Sequence, residues 1–432
     1  MARVDSDVVI IGAGASGLSA AAVLASAGKT VRCLEANHRV GGRILTIQDP
    51  FSPLPIELGA EFVHGLPAAT WRLIQSAGLT TYEHTARARL IDRGKFLEET
   101  EAGKIGESAL AAMLKSTKRG DESFEAFLKR SHLPAHAKAW ARVFVEGFNA
   151  ARKETISASA LKKDAEAADE IEGGRAFRIL AGYDSLIHHL LHSIPGHQTV
   201  ISLNSVVERV EWRHKHVTVR FRSTLDNGIS KIRCSQLIVT VPLGVLEAGA
   251  IAFDPEPKAI RDGARDLEFG QVYRVTFRFA EPFWESDERL KAIGFLISRE
   301  PIFPTWWTTH PVISPLLTGW SAGPAAEPLL GLNKAAVITQ ALASLARILN
   351  RKIPSPLAAH LHDWHADPFF RGAYSYVPVN GMPARRFLGR PVEGTLFFAG
   401  EATDTTGAGG TVHGAVGSGL RAARQVLKNS AA

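Results

Sequence analysis

Residues 7–17 read DVVIIGAGASG, and the LSAAAVLASAG that follows ends at Gly28. The run at 7–11 is continuously apolar, the pattern of a strand buried on both faces, and the glycine turn after it opens an Ala- and Leu-rich helix. Strand, glycine turn and helix begin a βαβ unit. Gly28 stands where a helix takes its left-handed closing residue, and TVRCL at 30–34 then reads as a parallel second strand ending at Glu35. Gly12, Gly14 and Gly17 form G-x-G-x-x-G between strand and helix. The first permits the tight turn, the second lets backbone approach a pyrophosphate, and the third allows close helix packing; the helix N-terminus adds N–H groups and a positive dipole. Glu35 places a carboxylate where ribose hydroxyls are recognised. Together these features predict a dinucleotide site rather than a plain glycine turn.

The chain has 432 residues, too many for one ordinary domain. With 45% hydrophobic and 22% charged residues it has the balance of a folded protein with a large core, which excludes disorder as its main state. The formal charge of +7 is spread along the chain, its densest cluster being KSTKR at 115–119, read here as a solvated loop; no nucleic-acid partner is expected. Cys33 and Cys234 lie in apolar β-like runs and read as buried thiols in a reducing compartment. No apolar stretch approaches the roughly 18 residues that span a bilayer, and the N-terminus lacks a signal pattern. The expectation is a cytoplasmic protein with no membrane partner. No metal is expected.

Further along, residues 76–194 turn Ala-, Lys- and Glu-rich (ESALAAMLKSTK) or amphipathic (YDSLIHHLLHSI), predicting a mainly helical insertion. Alternation returns at 200–221 as a hairpin and again in QLIVTVP, while GQVYRVTFRF at 270–279 predicts another strand. The Trp- and Pro-rich stretch 302–324 reads as irregular walls and edge strands. LFFAG at 396–400 is a second buried strand and glycine turn, and residues 412–427 form a closing helix. With no repeat and no linker, two interleaved domains are expected. One takes residues 1–75, 195–262 and 367–432 and binds the nucleotide; the other takes 76–194 and 263–366 and binds substrate.

RVGGR at 39–43 sets two glycines, Gly41 and Gly42, between two guanidiniums, suited to a second pass around a pyrophosphate. With it the chain resembles the flavin-dependent amine oxidase family, which groups monoamine oxidases, polyamine and spermine oxidases and lysine-specific histone demethylases. ELGAEFVHG (57–65), SLNSVVERVEW (202–212), VPLGVL (241–246), DWHADPFFRGAYSYVPVNG (363–381) and LFFAGEATDTTGAGGTVHGAVGSGLRAA (396–423) resemble further family blocks in the same order. The resemblance implies an α/β fold in which a Rossmann-like FAD-binding domain is interleaved with an α+β substrate domain. It implies that Arg43, Gly59 and Ala60 lie beside FAD and that Val207 packs on adenine. Tyr374 matches one wall of the family's aromatic cage for the amine; the opposite wall, a second Tyr in monoamine oxidases, is Thr411 here, as in the demethylases. Monoamine oxidases attach FAD through a cysteine beside the cage tyrosine, but Ala373 stands there, so the FAD is expected to be noncovalent. Most members carry a lysine holding water near flavin N5 where this chain has Arg274.

The residues admit readings of their own. Glu401, after Gly400, could accept from the ribityl chain, and the helix opening at Thr411 and Val412 aims its dipole at the pyrimidine edge of a flavin. Thr411 also suits an ordinary helix cap. His64 either orients substrate and handles protons or satisfies backbone groups, and Glu61 is either a negative wall for a cationic substrate or a surface residue. Arg274 either reaches the flavin or faces solvent from its strand. Trp306, Trp307 and Trp364 supply a missing cage ring or pack in the core. The implied reaction is oxidation of a polyamine or monoamine to an imine and aldehyde, with oxygen as acceptor and hydrogen peroxide released. The alternatives are a dehydrogenase or desaturase using another acceptor, and a silent flavin-binding interaction protein.

Overall fold

The continuous apolar run becomes β1 (Ser6–Ile11), the glycine turn leads into α1 (Ala15–Ser26), and the chain returns as β2 (Val31–Leu34), parallel to β1 with Val8 opposite Val31. The computed structural model describes residues 4–84, 87–92, 94–97, 112–114 and 120–430; KSTKR and most of ESALAAMLKSTK lie outside them. β1 is central in an eight-stranded sheet whose other neighbour is the long strand Ile229–Val239. That strand changes partners midway. Its alternating first half pairs antiparallel with His216–Ser223, the predicted hairpin's second arm, while its continuously apolar end pairs in parallel with β1 and with Leu396–Phe398. Alternation thus marks the half-exposed ribbon and continuous apolarity the part covered on both faces.

One face of this sheet is covered by α1 and the closing helix Val412–Ser430, which share a core with Val8, Ile10 and Leu18. The helix Asp184–His192 joins that same core through Leu186, Ile187 and Leu190, so the nucleotide side draws on a segment that sequence assigned to the substrate side. Composition predicted a mainly helical 76–194, yet this stretch also contains Thr81–Glu83, Arg87–Asp92, Lys95–Phe96 and Ala176–Ile179 as strands. Arg87–Asp92 enters a second, seven-stranded sheet alongside Ile293–Ser298.

That second sheet holds Val272–Arg278 beside Leu316–Ala322, with Thr305–Trp307 next in line. Both of the latter are interior strands, not the irregular edges read from their Trp and Pro content. Close backbone approach explains the difference: a Cβ on Gly319 would lie 2.7 Å from Cη2 of Trp306, so only glycine lets that indole lie flat across the neighbouring strand. The helix Lys334–Leu349 covers this sheet through Val337, Ala341, Leu345 and Ile348. No described helix is long and apolar enough to cross a membrane. Cys33 and Cys234 are buried free thiols.

Candidate active site

A cavity of ≈ 1020 Å³ runs from the C-terminal ends of β1 and β2 to the second sheet, lined at one end by Gly12, Gly14 and Glu35 and at the other by His64, Arg274, Trp307 and Tyr374. At the first end Glu35 is aimed by two amides: its Oε2 accepts from Ala13 N at 2.7 Å and its Oε1 from Asn37 N at 2.9 Å. Gly14, the residue before α1, supplies no side-chain cap, leaving the first amides of the helix for a ligand. The RVGGR loop lies against this turn, with Gly41 N donating to Ala13 O at 2.9 Å. Val207, 5% exposed, lines the cavity from the strand Ser205–Arg213.

Of the two guanidiniums of that loop, only that of Arg43 lines the cavity. Arg39 donates to the carbonyls of Val40, Gly42 and Ile44, folding its own loop. Arg43 donates to Ala373 O at 2.6 Å and to Glu401 at 2.9 Å. Arg39 therefore shapes the loop that presents the backbone amides, while Arg43 lines the cavity with Nη2 and Nε outside these two contacts. Glu401 is likewise occupied: its carboxylate accepts from Arg43, from Ser375 Oγ at 2.6 Å and Ser375 N, and from Gly410 N at 3.0 Å. Burial alone would raise its pKa, but Arg43 and the Ser375 hydroxyl outweigh burial and hold it below the usual carboxylate range. Glu401 fastens the Arg43 loop to Ser375 and to the start of the closing helix, and it lines the cavity. A Cβ on Gly59 would lie 1.9 Å from Arg43 O, and Ala60 N donates to that same carbonyl, so both hold the segment against the loop.

At the far end, Thr411 Oγ accepts from Gly414 N at 3.0 Å and donates to Ala408 O: it is the helix cap, and it lines the cavity with Val412 on the first turn. Tyr374 packs its ring on Gly410, where an added Cβ would lie 3.3 Å from Cδ2, and donates its hydroxyl to Phe148 O at 2.7 Å. Trp320 Nε1 donates to Gly147 O at 2.9 Å, so two side chains tie down the end of the helix Ala135–Asn149. Tyr374→Phe should therefore free that helix end and slow flavin reduction several-fold while FAD remains bound; stopped-flow reduction and the FAD-to-protein ratio check this.

His64 packs against Phe62 and, edge to face, Phe148. Its ring makes no hydrogen bond to protein among the described residues, so it does not serve to satisfy backbone groups. Burial, assisted by neighbouring His413, lowers its pKa to about 4. It is thus a neutral imidazole throughout the neutral range, an acceptor or single donor rather than a cation. Ionisation of His64 should leave no limb in the rate profile between pH 5 and 8, and His64→Ala should keep the shape of that profile.

Arg274 is buried at 3% exposure, which excludes the solvent-facing reading. Its Nη1 donates to Gly59 O at 2.9 Å, its Nη2 to Glu61 at 2.5 Å, and its guanidinium lies over the Trp307 ring. Glu61 is neither a free negative wall nor a surface residue. Trp307 Nε1 donates at 2.9 Å to the oxygen that Arg274 holds, Oε2, and Arg178 approaches Oε1 at 2.5 Å. Burial opposes the charge, but the two arginines prevail and lower its pKa. Trp306 packs in the core with its Nε1 on Phe303 O; Trp307 and Trp364 line the cavity. Sequence reasoning also missed Phe148, Phe144, Trp320 and His413 as lining residues. For His413, its place in the first turn of a helix expected to face the flavin was an available signal.

The cradle fits FAD: an uncapped helix N-terminus, a carboxylate fixed by two amides, and glycines at each close approach. The chain belongs to the flavin-containing amine oxidoreductase family, whose model matches residues 15–427. It is an FAD-dependent amine oxidoreductase. Among its relatives, polyamine oxidase 2 of Arabidopsis thaliana is 29% identical over 96% of this chain and 87% of its own length. Lysine-specific histone demethylase 1 homolog 3 of Arabidopsis thaliana is 27% identical, and there the chain spans 30% of the relative's length. Putrescine oxidase bound to putrescine shares the fold with a TM-score of 0.81 at 22% identity, covering 98% of this chain and 99% of that one. Cyclohexylamine oxidase from Brevibacterium oxydans does so at 0.81 and 20% identity, covering 99% and 100%.

Proposed function

We propose that the enzyme oxidises a small-molecule amine to an imine, which water hydrolyses to an aldehyde, with oxygen as electron acceptor and hydrogen peroxide as second product. FAD, when bound, supplies the two-electron acceptor for the α-hydrogen. The observation that carries this reading is the aromatic wall of Tyr374, Phe148 and Trp307, with the neutral imidazole of His64, at the end of the nucleotide cradle. Tyr374 presents a π-face to the amine, and the uncharged His64 neither repels an ammonium nor pairs with it, so the chamber favours the unprotonated amine. Ala373 offers no thiol, which supports noncovalent FAD: acid precipitation should release the yellow colour into solution, and colour retained in the pellet would overturn it. Peroxide formed in proportion to the amine consumed tests the reaction.

A dehydrogenase using another acceptor remains the second reading, favoured by one observation. Arg274, at the place of the family's lysine, is committed to Glu61 and Gly59 O instead of being a free cation. If oxygen is the acceptor, Arg274→Met, which leaves Glu61 paired with Arg178, should slow aerobic reoxidation roughly tenfold while anaerobic reduction changes less. Sluggish reoxidation in the unmutated enzyme would favour the dehydrogenase.

A further inference from the structure

The charge balance of the chamber carries an inference that rests on amine oxidation as the reaction and concerns which amines can enter. The cavity lining holds four carboxylates, Glu35, Glu61, Asp164 and Glu401. Glu35 is fixed at the ribose end, and Glu401 is engaged by Arg43, Ser375 and Gly410. Asp164, on the helix Ala158–Glu170, stands in the field of Arg385, Asp404 and Lys163, and burial pushes it up to about 6. Only Glu61 touches the aromatic walls, through Trp307, and it faces two guanidiniums. One carboxylate against two arginines leaves that cluster with one excess positive charge while Glu57, which lies in the field of Arg274 and is raised to about 7 by burial, stays protonated. The nitrogens Arg178 Nη1 and Arg274 Nε are buried and make no hydrogen bond, so the excess charge reaches the cavity as a field and not as a hydrogen-bond donor.

The surface that a substrate does meet is apolar. Phe62, Phe295 and Trp307 contact one another with ring centroids 5.9–6.0 Å apart, and the near-parallel rings of Phe144 and Phe148 extend the wall outward. A diamine or polyamine carries a second ammonium several methylenes beyond the reacting nitrogen. Desolvating that charge needs an acidic partner, and here it would meet a cationic cluster instead. The same cluster lowers the pKa of the reacting ammonium and so favours the neutral amine. We propose that the substrate is a monoamine with an aryl or alkyl tail seated on Phe62, Phe295 and Trp307, and that the Arg178–Glu61–Arg274 cluster excludes di- and polyamines.

The test is anaerobic flavin reduction of the FAD-loaded enzyme by hexylamine, phenethylamine, hexamethylenediamine and spermidine. Hexylamine should exceed hexamethylenediamine in reduction rate over Kd by roughly a hundredfold, since the two differ only in a second charge without a partner. A diamine or spermidine as effective as hexylamine would overturn the inference while leaving amine oxidation intact. Reduction by none of these amines would refute amine oxidation, and the inference with it. Arg178→Met, which removes the excess charge, should narrow the gap at least several-fold, with thermal unfolding confirming a folded variant. Unchanged discrimination in that folded variant would overturn the cluster's role, and the hexylamine comparison decides the substrate class even if the variant does not fold.

Discussion

Glu61→Gln is expected to destabilise the enzyme by about 3–5 kcal/mol, because glutamine keeps the shape but leaves Arg178 and Arg274 buried without a counter-charge. Denaturant unfolding of the variant checks this, and a loss below about 1 kcal/mol would mean that the cluster is hydrated like a surface pair. The pH dependence follows from the same contacts. Burial alone would raise the Glu61 pKa, but the two arginines lower it below 4.5 in the folded state. Its stabilisation is therefore present above pH 4.5 and lost as pH falls through the lower folded value. Acidification below pH 4.5 should erode the stability of the unmutated enzyme more steeply than that of Glu61→Gln. Glu57 works in the opposite sense: burial raises it to about 7, so its share of stability is lost as pH rises from 4.5 toward 7.

Gly14→Val and Gly17→Val should fail in different ways although they stand three residues apart. A Cβ on Gly14 would lie 3.7 Å from Gly42 Cα, an ordinary contact, so the fold tolerates a side chain there. That side chain occupies the space where backbone approaches a pyrophosphate. Gly14→Val should purify folded, unfold at nearly the temperature of the apoprotein, and hold no FAD. A Cβ on Gly17 would lie 1.9 Å from Gly12 O, so valine there must push α1 away from the turn. Gly17→Val should lose about 3 kcal/mol or more and express poorly. Absorbance of bound FAD together with thermal unfolding separates the two. A Gly14→Val protein that retains stoichiometric FAD would mean that the cofactor lies elsewhere.

The nucleotide half was legible because its determinants are local. Residues 7–35 contain the strand, turn, helix and acidic tip in one continuous stretch, and 396–412 repeat the strand-and-turn signal. The substrate half was not, because its determinants are distant pairs. Arg274 and Glu61 are 213 positions apart, and nothing in GQVYRVTFRF or ELGAEFVHG announces that each neutralises the other. Glu401 looked like a free carboxylate since its donors Ser375 and Arg43 come from other segments. The tryptophans at 306 and 307 suggested irregular walls, because a glycine on a neighbouring strand, Gly319, is what lets Trp306 lie within a regular sheet. Phe144 and Phe148 gave only a helical spacing, and it is the tethers from Tyr374 and Trp320 that set their helix end over the cavity.

Anaerobic mixing of the FAD-loaded enzyme with a saturating apolar primary amine, followed by the visible flavin absorbance, tests amine oxidation most directly. Complete bleaching is expected, with one equivalent of aldehyde formed per flavin and the colour restored when oxygen is admitted. A flavin that stays oxidised in the presence of every amine tried would contradict it.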